Sequence, residues 1–265
     1  MNTNLSSSVP SQLETDCLLV VVLDSSKEDR SEKDKPSPTV ECADAAVREA
    51  AKDEISSGEV TGKAFETTLL HRPAGLKAKR LLLVGGGKAK NFSAAELRKL
   101  AGAAVRTLKS KSIRSFAFAL PANGTAVGVS ANDAVRAIVE GAFVGNFDPG
   151  YYKSDRKDKD QKIDAVTIVV PNNVQGDLKA LESALQTGRI VAESQNFTRD
   201  LVNEPSNRMT PTILAERAKK MAADVGLRCE VHGADEIRQL KMGAFWGVAQ
   251  GSDEPPALIV LRYEP

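Results

Sequence analysis

Two hydrophobic rhythms alternate along this chain. Cys17-Leu-Leu-Val-Val-Val-Leu23 is an unbroken apolar run, the pattern of a strand buried on both faces. Phe65 to Leu70, Arg80-Leu-Leu-Leu-Val84, Ser115 to Leu120 and Ala165 to Val170 read as further strands, with two more over 227–231 and 257–261. Between them the period shifts to that of helices. Residues 43–53 are alanine-rich, and Val135, Ile138, Val139, Ala142 and Phe143 form a single helical stripe. Ser93-Ala-Ala-Glu96 has capping-box spacing and opens a helix predicted to reach Lys109. Leu178, Leu181 and Leu185 open a long helix over about 176–200. Thr210-Pro211 places an N-cap before a proline at the first helical position of another, ending near Gly226.

Strands that alternate with helices predict an α/β protein with a mainly parallel or mixed sheet in three layers. The long helix has no strand immediately after it and reads as a connector. The expected organisation is an N-terminal α/β domain over 1–174, then the helix and the opening part of a second α/β domain over 175–265. Residues 1–15 are polar and are expected to be frayed. The stretch from Asp24 to Pro38 and the charge run from Lys153 to Lys162 are expected to be solvated loops.

Composition narrows the function classes. The chain has 265 residues, 42% of them hydrophobic, which is enough for a sizeable core. Its 36 basic and 35 acidic side chains leave a formal charge of +1, so no global field draws it to nucleic acid or anionic membrane. Nucleic-acid binding stays open but unsupported, since aromatic residues are only 5%. Cys17, Cys42 and Cys229 are widely spaced and form neither a disulfide framework nor a zinc module. No basic region leads into an apolar stretch at Met1-Asn2-Thr3-Asn4-Leu5, and no run approaches a membrane span. The expectation is a cytoplasmic protein.

Candidate chemistry is sparse. Gly85-Gly86-Gly87-Lys88 follows a strand, but Lys90 stands where a dinucleotide fingerprint needs glycine. Leu82 and Ala89 stand where a phosphate loop needs glycine and a hydroxyl. A tight strand-to-helix turn explains the glycines. His71 and His232 are the only histidines and cannot supply a three-histidine metal site. Asp235 and Glu236 after His232 read as an acidic helix start. No serine-hydrolase elbow or supported Cys–His pair occurs. From the residues alone, catalytic, cofactor-binding and metal-ligating residues are all assigned as none.

Two segments carry a resemblance. Asp200-Leu-Val-Asn-Glu-Pro-Ser-Asn-Arg-Met-Thr-Pro211 resembles the Asn-x-Pro-x-Asn…Thr-Pro segment of the leucyl aminopeptidase (cytosol aminopeptidase) family. Met242-Gly-Ala-Phe-Trp-Gly-Val-Ala-Gln-Gly-Ser-Asp-Glu-Pro-Pro256, continuing into Leu258-Ile-Val-Leu-Arg-Tyr263, is similar to the segment that leads those enzymes into their metal site. Leu81-Leu-Leu-Val-Gly-Gly-Gly87 also suits that family's N-terminal domain. Trp246 is bulkier than the aliphatic residue expected at its position.

The resemblance implies a dinuclear-metal exopeptidase that removes N-terminal residues, leucine prominently, from peptides. Two divalent ions, manganese or zinc, held by a lysine and several carboxylates would activate water and polarise the scissile carbonyl. It also implies a homo-hexamer for the complete enzyme. The family's Gly-Lys-Gly…Phe-Asp-Thr-Gly-Gly and Asn-Thr-Asp-Ala-Glu-Gly-Arg segments do not occur here, so no metal ligand or catalytic residue is carried over. The expectation is a truncated, inactive N-terminal portion of a metallopeptidase of peptide catabolism. Within it, Asn203 and Asn207 are expected to bond backbone as turn formers beside Pro205 and Pro211. Gly243, Gly247 and Gly251 are expected to let backbones approach closely. The alternative is a standalone non-catalytic module that binds a ligand or DNA or holds oligomers together.

Overall fold

A computed structural model describes residues 1–26, 36–121, 128–154, 162–171 and 178–264. The chain folds as two compact units, Met1–Asn196 and Phe197–Pro265.

The first unit is built on a sheet of seven strands: β1 (Asn2–Ser6), β2 (Leu18–Asp24), β3 (Pro38–Val40), β4 (Thr67–His71), β5 (Arg80–Lys88), β6 (Ser115–Ala119) and β7 (Ala165–Val169). Their order is β1-β7-β6-β2-β5-β4, with β3 also paired to β2. Pairing is parallel from β1 through β5, while β3 and β4 are antiparallel. The predicted mixed, mainly parallel α/β architecture is therefore present.

Central strand β2 explains the layering. Leu19, Val21 and Leu23 point to one face, where they join Leu82, Phe118 and Ile168 in a core. Leu18, Val20 and Val22 point to the other, with Leu81, Leu83 and Ala117. Each of the leucine, valine, isoleucine and phenylalanine side chains contributes about 1.5–3 kcal/mol when fully buried. The first face is covered by α3 (Ala94–Ser110), α4 (Ala131–Asn146) and α5 (Leu178–Asn203), and the second by α1 (Ala45–Ala50), with α2 (Lys52–Ser57) following it. Leu181, Leu185 and Ala192 of α5 are buried in the first core, so that part of the long helix belongs to the first unit.

Two strands have no counterpart in the sequence pattern. Residues 1–15 are not frayed: β1 pairs with β7 throughout Asn2–Ser6, and Met1 and Leu5 pack against the core. Backbone hydrogen bonds order a segment too polar to show a strand pattern. Strand β3 lies at the end of the expected loop and bonds to Val22–Asp24.

The glycine triplet is also not a strand-to-helix turn. Gly85, Gly86 and Gly87 lie within β5, and the loop 61–66 lies against them. The Gly87 amide donates to the Gly62 carbonyl at 2.9 Å, and that of Phe65 to the Gly85 carbonyl at 2.8 Å. A Cβ at position 85 would lie 1.9 Å from the Lys63 carbonyl oxygen, so glycine is required by close approach. Capping at Ser93 is half of the expected box: its hydroxyl accepts from the Glu96 amide, while the Glu96 carboxylate pairs with Lys99 at 2.7 Å.

The second unit continues from the end of α5 into α6 (Pro211–Val225), β8 (Arg228–His232), α7 (Ala234–Gln239), α8 (Gly243–Ala249) and β9 (Leu258–Arg262). Thr210 caps α6 as predicted, its hydroxyl accepting from the Ile213 amide, and Gly226 ends the helix in the left-handed region. Strands β8 and β9 pair antiparallel as a two-stranded sheet. The charge run over Lys153–Lys162 lies mostly outside the described residues. Among the described residues no helix is long and apolar enough to cross a membrane.

Candidate functional site

The second unit carries the segments singled out by sequence. From within α6, Arg217 reaches back to Glu204 just after α5, Nη2 to Oε1 at 3.2 Å, and a 3-10 turn spans Ser206–Arg208 between the two helices. This ion pair fastens the Asn-x-Pro segment. The expected asparagine turns are not seen, because the Asn203 and Asn207 side chains make no hydrogen bond among the described residues.

Helix α8 presents the second segment. It buries none of its own residues. Trp246 is half-buried, and the Arg238 guanidinium of α7 stacks over its ring at 3.9 Å, a cation–π contact that accommodates the unusual bulk. Gly243, Gly247 and Gly251 do not mediate close approach, because a Cβ at any of them would meet nothing within 4 Å. An open groove of about 350 Å³ runs along the helix, lined by Pro211, Phe245, Val248, Ala249, Pro256 and Ala257 among others.

Among the described residues no three His, Cys, Asp or Glu side chains come together as a ligand group. His232 sits between Glu230 at 3.8 Å and Glu236 at 3.5 Å, while Glu236 accepts from the Gly233 amide at the start of α7. His71 is exposed at the end of β4. The described residues therefore do not fit a dinuclear centre.

Within the first unit, the carboxyl ends of β6 and β7 border a cleft of about 260 Å³, lined by Val9, Pro10, Cys42, Asp44, Leu120 and Pro171 among others. This is where open parallel sheets bind ligands. Asp44 is committed to structure: its carboxylate accepts from the Ser11 amide at 2.7 Å and caps α1 through Ala46 at 2.9 Å. Burial alone would raise its pKa, but these hydrogen bonds outweigh it and hold the group below its ordinary value. Asp24 behaves alike: although burial opposes it, hydrogen bonds from Lys88 and Ser26 hold its carboxyl far below the usual range. Burial pushes the Cys17 thiol up to about 12, which excludes it as a nucleophile at neutral pH.

Comparison with known proteins places both units. The profile of the cytosol aminopeptidase family's N-terminal domain matches residues 19–156, and that of the family's catalytic domain matches 196–265. The chain belongs to the cytosol aminopeptidase family. A probable cytosol aminopeptidase of Koribacter versatilis is 51% identical, over all of this chain and 52% of its own length. One from Acidobacterium capsulatum is 46% identical, again over the whole chain and 52% of its own length. The chain thus spans about half the length of the curated relatives it matches. A solved tomato leucine aminopeptidase variant shares the fold, with a TM-score of 0.76 at 24% identity over 98% of this chain and 50% of that one. The bottromycin maturation enzyme BotP also shares it, with a TM-score of 0.70 at 24% identity over 94% of this chain and 46% of that one.

Proposed function

We propose that this chain is the N-terminal portion of a leucyl aminopeptidase, an enzyme that releases N-terminal amino acids, leucine preferentially, from peptides in the cytoplasm. The observation that carries this reading is the whole-chain identity to relatives about twice as long. Two divalent ions, manganese or zinc, would supply an activated water and a polarised carbonyl to the complete enzyme. The bottromycin maturation enzyme BotP, which shares the fold, has been solved in complex with Mn. Among the described residues no ligand group for a metal ion is present, and in this reading the 265-residue chain by itself has no turnover. Hexamer formation belongs to the complete enzyme in this reading. The first unit then acts as a rigid, non-catalytic scaffold.

The test is direct. The purified chain is incubated with manganese or zinc and leucine p-nitroanilide, and no turnover above a mock purification is expected. Turnover that co-purifies with the chain and survives removal of host peptidases overturns the reading. A second reading, ligand binding by the first unit, is favoured by its cleft at the carboxyl ends of β6 and β7. Saturable binding of a small apolar compound that Cys42→Phe abolishes would support it.

The proposed domain boundary at 174/175 precedes α5. Because Leu181, Leu185 and Ala192 fill the first unit's core, a stable fragment needs the helix as far as Asn196.

A further inference from the structure

Helices α3 and α4 line a groove of about 240 Å³, and both walls belong to the first unit. Asp133, Arg136 and Glu140 come from one stripe of α4, and Arg98 faces them from α3. Ala94, Ala95 and Ala137 complete the lining. Glu140 is only 7% exposed, and two guanidiniums hold its charge there. Arg136 Nε donates to Oε1 at 2.7 Å, and Arg98 Nε lies 3.1 Å from Oε2. Two cations thus share one buried carboxylate, which leaves a positive charge unmatched. Arg98 also donates to Gln195 of α5, but the Arg136 Nη groups have no acceptor among the described residues. Asp133 has the opposite imbalance. Its carboxylate accepts from the Ser130 hydroxyl at 2.7 Å and pairs with neither arginine among the described residues.

Such a lining disfavours ligands of a single charge. An anion drawn to the arginines also meets Asp133 and Glu140, and a cation drawn to Asp133 meets both guanidiniums. A ligand with both charges a few bonds apart satisfies each side. We infer that this groove binds a free α-amino acid as its zwitterion. The carboxylate sits on the outward guanidinium edge of Arg136 beside Arg98, the geometry in which arginine holds carboxylates best. The ammonium sits on Asp133, and the alanine wall leaves room for an aliphatic side chain. Arg136 is the residue on which binding turns, because its Nε is committed to Glu140 while its Nη groups stay available.

The experiment is isothermal titration calorimetry of the full 265-residue chain with L-leucine as the probe. One saturable site per chain is expected. N-acetyl-leucine lacks the ammonium and leucinamide lacks the carboxylate, so each should bind at least tenfold more weakly. Arg136→Gln should weaken leucine at least tenfold. Asp133→Asn should weaken leucine similarly yet leave N-acetyl-leucine unchanged. Arg189→Gln, at an exposed ion pair on α5, should change nothing. Thermal melting of each variant checks that the fold is kept. Absence of saturable leucine binding overturns the inference, as does leucine binding indifferent to both groove substitutions. N-acetyl-leucine or inorganic phosphate binding as tightly as leucine also overturns it, since the groove is then a plain anion site. The inference goes beyond the proposed function and does not rest on it. Turnover of leucine p-nitroanilide is read separately, and neither result decides the other.

Discussion

Helices α3 and α4 form the most extensive helix pair among the described residues, and glycine sets their spacing. A Cβ at Gly141 would lie 2.1 Å from the Arg98 carbonyl oxygen and 2.9 Å from the Ala101 Cβ. The first contact is about 0.9 Å inside the 3.0 Å below which Cβ contacts essentially never fall. A helical carbonyl cannot rotate away, so Gly141→Ala must push the helices apart. Overpacking of this kind costs about 1–3 kcal/mol, and clash with backbone belongs at the upper end. Alanine returns about 0.5–1 kcal/mol of helix preference. The net expectation is a loss of about 2 kcal/mol, or roughly 4–8 °C in melting temperature for a protein of this size. Differential scanning calorimetry measures it. Gly247→Ala is the matched control, since it is also helical but open to space, and should be neutral or stabilising by up to about 1 kcal/mol. A Gly141→Ala protein that melts at or above the parent temperature refutes the close helix contact.

Other expectations follow from single groups. Glu41 is 9% exposed, its carboxylate has no hydrogen bond or ion pair among the described residues, and burial raises its pKa above the ordinary 4.5. Its protonated form suits the fold, so its contribution is complete below 4.5 and is lost as pH rises through the raised value. Glu41→Gln should therefore gain stability relative to the parent as pH rises from about 4.5 to 7 in urea titrations; parallel curves for the two proteins contradict this. A fragment of residues 1–196 should melt cooperatively, whereas 1–174, stripped of Leu181, Leu185 and Ala192, should be several kcal/mol weaker or aggregate; equal urea midpoints would exclude a core role for α5. Cys17 should resist a thiol reagent at about pH 8 until the chain is unfolded, whereas Cys229, only partly buried, should react first; the reverse order contradicts the burial of β2.

Much of the fold was legible because burial wrote it into the residues. A run of consecutive apolar positions is the mark of a strand covered on both faces, and six of the seven from Cys17 to Leu23 lie in β2. Thr210-Pro211 and Gly226 bracket α6 by cap chemistry that is local in sequence. Other features were hidden because their cause is distant. Asn2-Thr3-Asn4-Leu5-Ser6 has no strand signature, and its order comes from a partner beyond residue 164. Gly85 looks like a turn residue until the Lys63 carbonyl is found against it. In the second unit the family segments could be read directly. The open groove could not, since it depends on which apolar residues lack a neighbour, and glycines expected to be crowded there stand in empty space.

Strand β1 also dictates an order of events. Asn2 finds its partner at Ala165, so a segment made early in translation waits for some of the last residues of the sheet. At about 5–20 residues per second, that interval is roughly 8–30 s. Throughout it, the edge of the sheet that β1 will occupy does not yet exist. Closure of the sheet at that edge is therefore a late event of synthesis, and anything that holds the leading segment, such as a chaperone or an N-terminal fusion, delays it.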